Sequence, residues 1–322
     1  MTDKEIKELI KWDKEHVVHA MYPIGENIGW LFNKGKGVMF EDTEGNKYID
    51  GLSQLICLNL GYGRMDIIEA MKKQIDRNPY STHFFGISDA ITVKCAQKLA
   101  KLIPKGLDHF SFTTGGSESV EVALRFARLY WYNKGMRKYK IISLYDSYHG
   151  ITFGALSAVG LGKGFFGKGV NPLVPGFLHI PSFNCYHCAF GKEYPGCDIQ
   201  CAQFLAYTID REDPETVAAF IAEPVQGTGG MIVPPPEYWP MVRKICTEYN
   251  VLLITDEVMT GFCRTGKMFA VEHWGIKPDI MAMAKGITSA YFPFGAVAFN
   301  DRIYKALKGS VFQGHTYSGQ PT

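Results

Sequence analysis

Six short, almost wholly apolar runs restrict what this chain can fold into more than any other feature. They are HFSFTT, KIISLY, VAAFIAE, NVLLITDE, DIMAMAKG and FGAVAFN, all from His109 onward. A small-residue or polar cluster follows each run, and then a segment with helical apolar spacing. Runs of this length and continuous apolarity suit buried strands covered on both faces, which is the α/β pattern. The residues closing the runs are more telling. HFSFTT leads to Gly115, Gly116 and Ser117, and KIISLY leads to Tyr148, His149 and Gly150. VAAFIA ends at Glu223, NVLLIT at Asp256 and Glu257, and DIMAMA at Lys285. In open α/β sheets a ligand binds beyond the carboxyl ends of the strands. A glycine loop, an aromatic, carboxylates and a lysine are thus aimed at one edge.

Upstream, GVMFEDTEGNKYIDG places apolar clusters on both sides of an EGN turn, as in a β-hairpin. Asp66 to Ile75 and Ala90 to Leu102 carry helical spacing. The first 60 residues therefore read as an entrance segment belonging to a smaller domain, with a large domain from residue 61 to 322. Net charge is +2, so no basic field recruits nucleic acid. No apolar run reaches the length of a membrane span. The charged, amphipathic N-terminus lacks a signal core. Eight cysteines without an export signal read as reduced, cytoplasmic thiols.

Three residue groups carry chemistry. In TTGGSESVEVALRFARLY a double glycine opens a helix whose apolar face runs Val120, Ala123, Leu124, Ala127 and Trp131. Glycines admit close approach of a phosphate to the backbone, and free N–H groups at a helix start favour an anion. A Ser-capped helix start fits the same residues. The spacing matches neither a dinucleotide fingerprint nor a Walker loop, which disfavours a nicotinamide dehydrogenase. Asp256 closes an apolar strand, and a buried carboxylate needs a partner: either backbone donors or a protonated pyridine nitrogen. Lys285 follows a still more apolar run. It is either a lysine that snorkels outward or an amine whose lowered pKa suits imine formation. Phosphate loop, ring partner and imine lysine together describe pyridoxal phosphate.

The segment VLLITDEVMTGFCRTGKMFAVEHWGIKPDIMAMAKGITSAYFPFGAVAF resembles the signature block of the class III aminotransferases, pyridoxal-phosphate enzymes of fold type I. The resemblance covers nearly the whole chain. It implies a large domain with a central, mostly parallel sheet covered by helices, plus a small domain. Lys285 would form the Schiff base, and Asp256 would hold the ring nitrogen. Gly116 and Ser117 would contact phosphate, and Tyr148 would stack on the ring. Glu223 in AEPVQG matches a site carboxylate. Thr316 in GHTYSG matches a threonine that reaches the phosphate of a neighbouring subunit, which implies a homodimer. GLSQLICLNLGYGR is similar to the pocket wall of ω-amino acid:pyruvate and taurine:pyruvate aminotransferases, with Ile56 at a pocket-wall position; Phe85, and Thr228 after the EPVQG motif, are likewise expected at the substrate pocket.

Three departures qualify the resemblance. Ornithine- and 4-aminobutyrate-type members carry a glutamate where this chain has Thr228, which argues against those substrates. Ile56 stands where many ω-aminotransferases have tryptophan. The family's further small-domain segment, with its carboxylate-binding arginine, is expected beyond Thr322. The expected activity moves an amino group from an ω-amine, ω-amino acid or amino sulfonate to a keto acid such as pyruvate. An aminomutase, a racemase or a non-catalytic relative that binds the cofactor are the alternatives. Cys185, Cys188, Cys197 and Cys201 form C-x2-C-x8-C-x3-C, with His187 between the first two. Four thiolates could hold zinc, but free thiols are the expectation. Cys57, Cys95, Cys246 and Cys263 are expected to pack as small apolar residues.

Overall fold

The computed structural model describes residues 1–26, 29–162, 169–309 and 313–322. It divides into two units, Met1–Lys72 and Lys73–Thr322.

The first unit opens with the helix Asp3–His16, whose start is fixed by a capping box. Thr2 Oγ1 accepts from the Glu5 backbone N–H, and the Glu5 carboxylate accepts from the Thr2 N–H. Strands β1 (Phe32–Lys36), β2 (Met39–Asp42) and β3 (Lys47–Ile49) form an antiparallel meander. The β2–β3 hairpin turns at the predicted EGN, because Asp42 Oδ1 accepts from the Glu44 and Asn46 N–H groups, both at 2.9 Å. This unit extends past the residue-60 boundary read from sequence. Gly37 and Tyr62 exchange backbone hydrogen bonds at 3.0 and 2.8 Å and tie the following segment to the β1–β2 turn. Ile56 sits in a short irregular segment with φ at +56°, an uncommon conformation for a β-branched residue.

The second unit is built on a seven-stranded sheet. Its strands are β4 (His109–Thr113), β5 (Lys140–Leu144), β6 (Phe177–Ile180), β7 (Val217–Ala222), β8 (Leu252–Asp256), β9 (Ile280–Met283) and β10 (Gly295–Phe299). The order is β4-β10-β9-β8-β7-β5-β6. Neighbouring pairs from β6 to β9 run parallel, whereas β10 is antiparallel to both β9 and β4. Period-two alternation divides the core into two layers. Phe220, Leu253, Met281 and Ala298 face one layer, with the helices Gln200–Arg211 and Tyr238–Glu248. Ile221, Ile254, Ile280 and Val297 face the other, against the helix Gly116–Asn133. Val120, Ala123, Leu124, Ala127 and Trp131 of that helix are all buried, as its spacing predicts.

Two expectations need correction. HFSFTT is not covered on both faces: β4 is an edge strand, and four of its five residues are only half-buried. The opposite edge strand, β6, is absent from the six runs, because it is short and carries His179 in its middle.

Candidate active site

The strand register brings the site together. Asp256, the last residue of β8, lies opposite Ala282 of β9, and Lys285 follows three positions later. The Glu257 N–H donates to the Ala282 carbonyl at 2.9 Å, so the pairing holds to the strand end. The helix Gly116–Asn133 closes on the same place. A Cβ built on Gly116 would stand 2.8 Å from Val258 Cγ1, so only glycine lets the helix start this close to the end of β8. Ser119 Oγ donates to the Met283 carbonyl at 3.0 Å, tying the helix to the strand that delivers Lys285.

Asp256 is almost completely buried. Its Oδ1 accepts from the Val258 N–H at 3.0 Å, and its Oδ2 lies 2.8 Å from His149 Nδ1. With Asp256 ionised, Nδ1 carries the proton and donates. His149 is itself buried, and its Nε2 has no hydrogen-bond partner among the described residues. The sequence reading named the Y-H-G motif but gave His149 no role. The signal that could have found it is the donor requirement of a buried carboxylate.

Tyr148 is half-buried, with its phenol pKa raised by burial and then by the Asp256 charge. Its N–H donates to Glu223 Oε2, and the Gly227 N–H donates to Glu223 Oε1, both at 3.1 Å. Burial, more than the neighbouring Asp256, pushes the Glu223 carboxyl up to about 7, while the His149 imidazole and the two N–H donors pull it down. Glu257 is raised to about 7 in the same way, although Thr260 Oγ1 and the Ala270 and Val271 N–H groups all donate to it.

A carboxyl raised in the folded state binds protons that the unfolded chain has released. The stability from Glu223 is therefore complete below the ordinary value of 4.5 and lost as pH rises through about 7. Glu223→Gln is expected to lessen this decline, by about 3 kcal/mol across the window. Urea midpoints measured across that range should show a shallower slope than wild type. An unchanged slope would mean that Glu223 titrates normally.

Ser117 Oγ accepts from the Ile151 N–H at 3.1 Å, so its own hydroxyl hydrogen can still be donated. Gly150, at φ +132°, makes this packing possible, because a Cβ there would stand 2.6 Å from Ser117 Oγ. A Cβ on Gly115 would meet nothing within 4 Å. Open space therefore lies beside a helix start whose first-turn N–H groups suit a phosphate. Lys285 is half-buried, at the start of a 3₁₀ turn (Lys285–Ile287), with φ at +48°. Glycine cradle, buried carboxylate, half-buried tyrosine and amine together provide the donor set that a phosphorylated pyridine aldehyde requires.

Thr228 follows Gly227, whose N–H donates to Glu223, and is exposed in the turn between Gln226 and Ile232. Phe85 is 93% exposed with φ at +60°, and Thr316 is exposed, its carbonyl accepting from the Tyr80 hydroxyl at 2.8 Å. Cys185, Cys188, Cys197 and Cys201 line one small cavity of about 20 Å³ as free thiols. Burial pushes the Cys201 thiol up to about 12. Among the described residues no group of three or more His, Cys, Asp or Glu side chains could hold a metal ion. Of the other cysteines, Cys246 is buried, Cys57 and Cys95 are half-buried, and Cys263 is exposed rather than packed. Among the described residues no helix is long and apolar enough to cross a membrane.

The chain is 39% identical over 301 residues to putrescine–pyruvate aminotransferase of Pseudomonas aeruginosa, covering 92% of this chain and 66% of that protein. It therefore spans about two thirds of that relative's length. The crystal structure of an (S)-enantioselective omega-transaminase from Thermomicrobium roseum superposes with a TM-score of 0.93 at 41% identity, covering 98% of this chain and 71% of that one. An amine transaminase from an uncultivated Pseudomonas species, solved with pyridoxal phosphate bound, gives a TM-score of 0.88 at 34% identity, covering 95% and 70%. The family model for class-III aminotransferases matches residues 21–322. On sequence, fold and site together, the chain belongs to the class-III aminotransferase family.

Proposed function

We propose that this protein is a pyridoxal-phosphate-dependent aminotransferase. It moves an amino group from an ω-amine, ω-amino acid or amino sulfonate to a keto acid such as pyruvate. The register of β8 on β9 carries this reading, since it sets Asp256 and Lys285 at one sheet edge beside the glycine-led helix start. Gly116 and Ser117 would hold the phosphate, Tyr148 the ring face and Asp256 the ring nitrogen. Bound pyridoxal phosphate supplies an electron sink for charge developing at the substrate carbon. Lys285 would hold the cofactor through its Nζ, and the same amine, when free, would move the proton at the carbon that bears the substrate's amino group. Asp256 would favour positive charge at the ring nitrogen, with His149 fixing the carboxylate for that task.

The active form in this reading is a homodimer. Phe85 is a large apolar side chain left exposed on strained backbone, and a cavity of about 800 Å³ opens beside it. Such a residue suits a site completed by a second copy. Thr316 would reach the phosphate in that copy. At Thr228 no carboxylate is available to pair with a substrate-binding arginine, and this favours simple ω-amines over ornithine.

An amine-donor panel assayed against pyruvate tests the reaction. The expected result is alanine formation from terminal diamines, ω-amino acids or taurine, with ornithine poorly used. Amine consumption without any keto acid would instead indicate an aminomutase or racemase. Ornithine used as well as the best amine would remove the Thr228 argument.

A further inference from the structure

A second, positively charged cavity lies at the amino ends of the parallel strands. A cavity of about 350 Å³ is walled by Lys105, Arg243, Asn250, Lys277, Asn300 and Arg302, with Asp279 at its base. Asn250 and Asp279 lie just before β8 and β9, and Asn300 just after the antiparallel β10. The wall therefore belongs to the amino ends of the parallel strands, whereas Asp256 and Lys285 lie at or beyond the carboxyl ends. A strand of five residues separates the two edges by roughly 15 Å.

Four cationic side chains and one carboxylate line this cavity. Asp279 is buried, and both of its oxygens are fully engaged. Oδ2 accepts from Arg243 Nη1 and from the Leu253 N–H, each at 2.9 Å. Oδ1 accepts from Arg302 Nη2 at 2.8 Å and from Asn300 Nδ2 at 3.0 Å. Arg302 is further held over the Tyr130 ring, 5.6 Å from its centroid. One saturated carboxylate thus fixes two guanidinium groups and leaves them no further lone pair. It cancels one of the four positive charges. Lys105 and Lys277 are exposed and have no ion-pair partner among the described residues.

A fold needs a cation here to satisfy Asp279, but two arginines and two further lysines around one cavity exceed that need. Guanidinium groups held in a fixed plane match the paired oxygens of phosphoryl groups. The volume lies within the range of small-ligand sites. We propose that this cavity binds a compact phosphoryl polyanion, of the size and charge of inorganic pyrophosphate. It would do so independently of the cofactor and of the reaction.

The test is a thermal-melting titration of the cofactor-loaded protein with sodium pyrophosphate, against sodium chloride at matched ionic strength. Saturating the cofactor site first keeps pyrophosphate from the Gly116 and Ser117 loop. A saturable rise in melting temperature is expected, since a ligand that binds only the folded state stabilises it. The double variant Lys105→Ala/Lys277→Ala removes two exposed charges without touching Asp279. It should melt normally without ligand and bind pyrophosphate about tenfold or more weakly. No saturable rise in the wild type would overturn the proposal, as would an equal rise with chloride or an undiminished response in the double variant. Transamination measured in parallel separates these outcomes from a failure of the aminotransferase reading, which the site does not require.

Discussion

Lys285→Ala is expected to lower transamination by about 10⁴-fold or more, because in the proposed reading one side chain would both hold the cofactor and move the proton. The substitution leaves Ser117, Tyr148 and Asp256 in place, so the proposed phosphate and ring contacts would persist. The variant should still take up pyridoxal phosphate, but dialysis should remove it, and the absorbance of the lysine-linked form should be missing. In the wild type, borohydride reduction should fix a pyridoxyl group on the peptide containing Lys285. A label on another peptide, or a variant that keeps the linked-cofactor spectrum, would mean that the register argument has selected the wrong amine.

Asp256→Asn is expected to slow turnover by about 10³-fold while leaving the fold intact, as when one preorganised electrostatic partner is removed. The amide keeps the shape: its oxygen can accept from the Val258 N–H, and its NH2 can donate to His149 Nδ1 once the ring proton sits on Nε2. What it loses is the negative charge that, in the proposed reading, would keep a proton on the ring nitrogen. Melting temperature and cofactor content should stay close to wild type, and single-turnover rates should fall. Near-normal single-turnover rates with Asn at this position would exclude the electron-sink role. A large drop in melting temperature would point instead to a structural carboxylate.

Most of the site was legible because strands announce themselves by burial and then stop. VAAFIA, NVLLIT and DIMAMA lie in a sheet covered on both faces, so each polar residue closing them had to be at an edge. What the sequence could not show was adjacency. Nothing local indicates that β4 lies against β10 rather than beside β5, or that β10 runs against its neighbours. His149 and Asp256 are 107 positions apart, and their contact exists only once β5 and β8 share a sheet. β6 escaped notice because an edge strand need not be apolar on both faces. The exposure of Phe85 and Thr228 was likewise not readable from spacing, since it follows tertiary packing and not periodicity.

The left-handed backbone at Lys285 bears on how this protein can evolve. A residue with a Cβ at φ +48° gives up about 1 kcal/mol relative to glycine there. Glycine at this position would relax the turn, and the folded state would gain from it. Lys285→Gly is therefore a substitution that selection for thermal robustness alone would favour and that, on the proposed role of Lys285, selection for catalysis would remove. A lineage freed from the need to transaminate would be expected to lose this lysine early. Position 285 is accordingly where a descendant that keeps the fold but has abandoned the chemistry should first be recognised.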